Sequence, residues 1–368
     1  MKKYTAAILC LFFTFCCAAV SAAEKTAFTA VGYAATRPGG PLIPYRFTLP
    51  ELGGHDMLVE IAYAGVCHSD IHLVNDEHGP IVEYPYVPGH EIVGRVSAVG
   101  KNVTKFKIND TVGIGSMLGS CGECEYCRAG QEQYCIRGAD WTGGGYATHI
   151  TVNEKFAAAI PREMPAIIAA PLMCADITTY SPLKRLKVKK GDSVAVAGLG
   201  GLGHLALQYA VSMGAEVTVF EITDAKAAAA KRLGAADYVN TRDNPALLER
   251  YRNKFKAVIS TIPVKHDIQP YIDALKETGT LVILGMPPLG ENIMAFDSHV
   301  LTSGGKCIMG SSIGGMRETE EMLRYSATHG ICPEVEVISA NQINSAFKRV
   351  KAGDVQFRFV IAVSSMRQ

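Results

Sequence analysis

Ser193-Val194-Ala195-Val196-Ala197 reads by composition as a short buried strand, and it runs straight into Gly198-Leu199-Gly200-Gly201-Leu202-Gly203. Leu205, Ala206, Tyr209, Ala210 and Met213 then recur at helical spacing until Gly214. Strand, G-x-G-x-x-G turn and helix in this order leave a chain few folds to adopt. Gly198 permits the tight turn, Gly200 lets a pyrophosphate approach the backbone, and Gly203 lets helix and strand pack closely. The N–H groups of Gly201 and Leu202 join those exposed at the helix start, which attract phosphates. A glycine-rich loop without a ligand has the same letters, but not both flanks.

The next strand, Glu216 to Phe220, ends in Glu221. A carboxylate about 20 residues beyond the glycines can accept two hydrogen bonds from an adenosine ribose diol, and it repels a 2′-phosphate. We therefore expect NAD to be favoured over NADP, although Thr223 and Lys226 keep NADP open. A solvent-facing strand end is the plainer reading of Glu221. Helix over Ala225–Leu233, strand over Ala257–Ile262, helix over Ile268–Leu275 and strand over Thr280–Leu284 follow, and Gly305–Gly310 closes the series. This alternation specifies a doubly wound parallel sheet.

Upstream, Ser120 to Cys135 carries Cys121, Cys124, Cys127 and Cys135. Thiolates at these gaps, on a loop with Gly122 and Gly130, can converge on one tetrahedral Zn²⁺. Four cysteines leave no open position, so such a site is structural. A disulfide cluster is the alternative, but two-residue gaps make short, strained bridges.

The segment from about Ala27 to Asn153 reads as mainly β, with strands over Met57–Tyr63 and Glu91–Val99 and turns at Asn109-Asp110 and Gly143-Gly144-Gly145. Cys67, His90 and Cys174 together would make a Cys₂His set with an open fourth position, the ligand set of a catalytic zinc. Taken singly, each is more often a buried core group.

Gly65-Val66-Cys67-His68-Ser69-Asp70-Ile71-His72, Tyr84-Pro85-Tyr86-Val87-Pro88-Gly89-His90-Glu91, the four-cysteine loop and Pro171-Leu172-Met173-Cys174-Ala175 resemble the zinc-dependent medium-chain alcohol dehydrogenases. Within that family they are most similar to the cinnamyl alcohol dehydrogenase-like branch. The resemblance runs from Thr26 onward. It implies an α/β chain, with a mainly-β GroES-like catalytic domain and a Rossmann doubly wound parallel-sheet domain. It also implies two Zn²⁺ per chain. Cys67, His90 and Cys174 would bind the catalytic ion. Glu91 would be its acidic neighbour or transient ligand, and Asp70 would orient the imidazole. Ser69 and His72 would relay the proton. The implied reaction is hydride transfer between a primary alcohol or aldehyde and a nicotinamide cofactor. A polyol or formaldehyde dehydrogenase, or a non-catalytic zinc- or nucleotide-binding member, are the rivals. The resemblance also implies a homodimer.

Two departures stand out. The branch often has Ser or Thr where this chain has Glu221. The seven residues Ile136 to Thr142, between Cys135 and Gly143, are fewer than is typical, which argues against bulky aromatic substrates. Trp141 is a candidate wall for a small pocket. His55, His68 and His78 read as solvated imidazoles, and Cys307 and Cys332 as core thiols.

The chain has 368 residues, 48% hydrophobic and 19% charged, with a net charge of +1. That balance gives no reason to expect a nucleic-acid partner. We divide the chain into a catalytic segment over 24–174, a nucleotide domain over 175–314 and a returning catalytic segment over 315–368. Residues 1–23 read as a secretory signal peptide: basic Met1-Lys2-Lys3, apolar Ala6 to Val20, then small residues at Ser21-Ala22-Ala23. An uncleaved anchor is the alternative. A used leader implies a periplasmic or secreted protein with no membrane segment after removal; an unused one implies a cytoplasmic protein. Beyond the leader we expect no run long and apolar enough to span a bilayer.

Overall fold

The structure is a computed structural model that describes residues 28–242 and 245–367. The signal peptide reading falls outside the described residues. Six strands form one parallel sheet, in the spatial order Asp237–Asn240, Glu216–Glu221, Ser193–Ala197, Phe255–Ser260, Leu275–Ile283, Cys307–Gly310. In chain order this is 3-2-1-4-5-6, the doubly wound arrangement. Every adjacent pair is parallel. Val194, Val196, Val217, Val219, Val258 and Ile259 are fully buried, as expected of strands covered on both faces. The order reverses beside Ser193–Ala197, which opens a crevice at that strand's carboxyl end.

The second sheet is mainly antiparallel and surrounds the long strand Asp56–Val66. One edge of that strand pairs with Ile92–Val99. The other edge is shared: His149–Asn153 covers its first half, and Arg358–Ala362 covers its second, with Phe359 opposite Val66. The last strand of the chain thus completes a sheet begun near its start. Between the two sheets the chain passes through helix Ala166–Pro171, a π turn at Leu172–Asp176 and helix Ile177–Arg185, and it comes back along helix Met316–His329.

The stretch Ala166–Arg185 is long and apolar enough to cross a membrane, contrary to expectation, but 83% of its most apolar 18-residue window is buried inside the fold. It is a core helix. Cys307 and Cys332 also depart from expectation. Both are exposed, Cys307 because it lies on the sheet's last strand, which pairs on one side only.

Candidate active site

The fold brings three distant segments together. Cys67 follows the strand Asp56–Val66 and caps helix His68–Val74. Asp70, one turn into that helix, is fully buried and takes four partners. Its Oδ2 accepts from the Cys67 N–H at 3.0 Å and the Tyr146 hydroxyl at 2.9 Å. Its Oδ1 accepts from the Gly89 N–H at 2.9 Å and lies 2.9 Å from His90 Nδ1. With Nδ1 committed, His90 has Nε2 left for the sulfurs of Cys67 and Cys174. Burial works against charge on His90, but Asp70 and Cys174 hold its pKa well above the ordinary value.

Cys174 sits in the π turn, which follows Pro171. Such single turns disrupt the regular bonding and often mark functional sites. Side chains make good the backbone: Thr178 Oγ1 donates to the Cys174 carbonyl at 2.6 Å and Thr179 Oγ1 to that of Ala175 at 3.1 Å. One donor atom from each of Cys67, His90, Glu91 and Cys174 lies within 4.8 Å of the others. Tetrahedral thiolates around Zn²⁺ stand about 3.8 Å apart, so the set fits that ion. The Cys174 hydrogen bond, with His90 and Arg358 nearby, pulls the Cys67 thiol well below its usual pKa.

Arg358 is the residue that sequence reasoning missed. Its Nη2 donates to both oxygens of Glu91, and both side chains are buried. Burial pushes the Glu91 carboxyl up to about 8, with Arg358 pulling the other way. A Cβ on Gly201 would lie 2.8 Å from Arg358 Nη1, so the guanidinium spans from the metal-binding cluster to the glycine turn. The only sequence signal was a cation heading the apolar run Arg358-Phe359-Val360-Ile361-Ala362.

Ser69 Oγ lies 3.7 Å from Cys67 Sγ. His72 is buried, and its Nδ1 bonds Glu77 rather than Ser69. Glu77 is also held by Asn75 at 2.8 Å and by Lys351 at 3.2 Å. His68 and His78 are not the solvated groups expected. Their rings pack on His72, with centroids at 4.7 and 4.5 Å, and burial lowers both pKa values. His55 matches its expectation in being exposed, although it pairs with Glu154 at 2.7 Å. Trp141 is 56% exposed, on a two-residue strand beside Met117.

The four-cysteine loop forms a second cluster. Donor atoms of Cys121, Cys124, Cys127 and Cys135 also lie within 4.8 Å of one another. Cys124 and Cys127 sulfurs are 3.4 Å apart, those of Cys121 and Cys127 3.9 Å. These are non-bonded separations that suit a shared ion. Every cysteine among the described residues is free. Hydrogen bonds from the backbone at Cys127 and Ile136 lower the Cys124 thiol to about 6.

At the glycine turn, Gly198 has φ +86, and a Cβ on Gly203 would stand 1.9 Å from the Gly198 carbonyl oxygen. Neither position tolerates a side chain. A Cβ on Gly200 would meet nothing within 4 Å, which leaves that side open to a ligand. Leu202 precedes helix Gly203–Ser212. Glu221 is buried and has partners that the sequence did not show. Its Oε2 accepts from the Leu199 N–H and its Oε1 from the Ile222 N–H, both at 2.7 Å. Lys226 Nζ lies 3.9 Å from Oε2. The carboxylate braces the turn, and its charge faces a cation.

Comparison with known proteins agrees with this geometry. Residues 53–162 match the alcohol dehydrogenase GroES-like domain, and residues 201–328 match the zinc-binding dehydrogenase domain. The chain is 44% identical over 323 residues to a probable formaldehyde dehydrogenase of Bacillus subtilis, covering 85% of this chain and 91% of that protein. It is 43% identical over 351 residues to an NADP-dependent alcohol dehydrogenase C of Mycolicibacterium smegmatis, covering 92% and 99%. The cinnamyl alcohol dehydrogenase of Helicobacter pylori, solved with NADP(H), superposes with a TM-score of 0.87 at 36% identity over 92% of this chain and 99% of that one. With a buried mixed-donor cluster beside a glycine turn, and related to these dehydrogenases along almost its whole length, the chain belongs to the zinc-dependent medium-chain alcohol dehydrogenases, in their cinnamyl alcohol dehydrogenase-like branch.

Proposed function

We propose that this chain interconverts primary alcohols and aldehydes with NADP in preference to NAD. The observation that carries the reading is the convergence of Cys67, His90 and Cys174, linked through Arg358 to the glycine turn. These three residues would hold one zinc ion with a position left for substrate, while Cys121, Cys124, Cys127 and Cys135 would enclose a second. When bound, zinc supplies a Lewis acid that makes an alcohol more acidic, and the nicotinamide supplies the hydride acceptor. Asp70 keeps His90 turned toward the thiolates. Arg358 holds Glu91 beside the ligands as a close alternative donor. Ser69, whose Oγ lies 3.7 Å from Cys67 Sγ, would receive the hydroxyl proton. His72 and Glu77 lead that proton outward, with a bridging hydroxyl or water needed between Ser69 and His72.

Four features support NADP. Both Glu221 oxygens are engaged by backbone N–H groups. Lys226 offsets the carboxylate charge, and Arg242 reaches the same corner, donating to the Ile222 carbonyl at 2.7 Å. Curated relatives at 42–43% identity are named NADP-dependent. Purified zinc-loaded protein mixed with either cofactor and a panel of short, polyol and aromatic alcohols tests the reading through the absorbance of the reduced nicotinamide. We expect turnover with NADP and short primary alcohols, and Lys226→Ala should weaken NADP by about tenfold, the loss of one phosphate-contacting cation. No turnover with any alcohol or aldehyde would favour a non-catalytic member; turnover only with formaldehyde or polyols would move the substrate class. We also propose export on the strength of the three-part leader, to be tested by N-terminal sequencing from cell fractions, and a homodimer by family resemblance, to be tested by sedimentation.

A further inference from the structure

Asp176 lies two residues beyond Cys174, in the same π turn, and is fully buried. None of the roles above uses it. A carboxyl group is costly to bury without partners, so its one bond is informative. The Tyr209 hydroxyl donates to Asp176 Oδ1 at 2.9 Å, and the same hydroxyl lies 2.6 Å from Ser326 Oγ. Among the described residues Asp176 Oδ2 has no hydrogen-bond partner. The three residues come from three segments: the π turn, the helix Gly203–Ser212 that rises from the glycine turn, and the returning helix Met316–His329. Tyr209 is itself immobilised, its ring packed against Tyr180 at 5.4 Å and Tyr325 at 6.1 Å.

A π turn is one extra residue in a helix, and that residue can in principle sit at neighbouring positions. Sliding it past Cys174 by one residue would rotate the thiol by about 100° about the helix axis, away from Cys67 and His90. The Thr178 and Thr179 bonds resist sliding from within the turn. Asp176 is the side chain that pins it from outside. We infer that Asp176 is a positioning residue which, through Tyr209 and Ser326, holds the π-turn register that presents Cys174 and ties that thiol to the helix of the nucleotide turn.

This inference rests on the reading of Cys174 as a metal ligand, and the experiment separates the two. Cobalt(II)-exchanged protein is followed by its thiolate charge-transfer absorption, by the shift of that band on adding NADP, and by metal release to a chelator. In Tyr209→Phe and Asp176→Leu, we expect about tenfold faster release from the mixed-donor cluster and loss of about half or more of the NADP-induced shift, whereas Asp176→Asn, which keeps an acceptor for Tyr209, stays within about twofold of the parent. Parent-like release and band shift in both Tyr209→Phe and Asp176→Leu overturn the inference even if the melting temperature falls. Asp176→Asn matching Asp176→Leu overturns it as well. Should Asp176→Leu fail to fold, Tyr209→Phe and Ser326→Ala, each losing one hydroxyl, decide the matter. Cys174→Ser is the separate control: it must remove part of the charge-transfer band, and an undiminished band sinks the ligand reading itself.

Discussion

The two sulfur clusters of this protein are built in opposite ways. Cys121, Cys124, Cys127 and Cys135 come from one loop, and the loop's own backbone serves them. The Cys124 N–H points at Cys121 Sγ at 3.4 Å, and the Cys127 N–H at Cys124 Sγ at 3.5 Å. Cys67, His90 and Cys174 come from three segments joined only by the fold, and side chains serve them: Asp70 behind His90, Arg358 against Glu91. The first cluster is closed, local and near the surface. The second is buried, has mixed donors and borders the crevice. Backbone N–H groups can stabilise thiolates but cannot be retuned by mutation. Buried side chains can, which is where a reactive centre gains its control.

The sharpest way to break this contrast is to exchange one ligand in each cluster. Cys174→Ser should lower kcat/KM by about a thousandfold or more, the equivalent of losing several kcal/mol of metal-assisted stabilisation, while the melting curve stays near that of the parent. A cooperative loss of folding instead would make Cys174 a structural ligand. Cys124→Ser should do the reverse, with a melting temperature lower by on the order of 10 °C, because a closed zinc site contributes folding free energy. An unchanged melting curve would mean that the loop holds no ion.

Arg358→Met sharpens the comparison on the side of the buried cluster. It removes a partner of Glu91 without touching a ligand, and we expect activity to fall by about 10–100-fold, with zinc still bound by elemental analysis. Parent-like turnover would show that Glu91 needs no restraint.

The smallest effect probes the thiols directly. In metal-stripped protein, alkylation of Cys124 should rise with pH through a midpoint near 6, because the backbone hydrogen bonds at Cys127 and Ile136 lower its pKa to about 6. The sign follows from the thiolate being the reactive form. Cys174, buried and held well above the usual thiol range by its hydrogen bond to Cys67, should react later in peptide mapping. Equal rates would erase the difference between the clusters.

Much of the molecule was written in short-range pattern. The glycine turn, the four-cysteine loop and the alternation of strands and helices are local signals, because turns, metal loops and periodicity depend on residues close in the chain. They determined the doubly wound sheet and the four-cysteine cluster, whereas the meeting of Cys67, His90 and Cys174 was implied only by family resemblance and is made by the fold. The tertiary structure decided matters that depend on partners far apart in sequence. It turned Glu221 inward onto Leu199, where the sequence alone suggested a ribose contact. It packed His68 and His78 on His72, brought Arg358 to Glu91 across 267 positions, and gave Asp176 the hydroxyl of Tyr209. A buried charge announces in the sequence only that it needs a counterpart. Which counterpart it finds is settled by the packing that removes water from both, and so only by the folded chain.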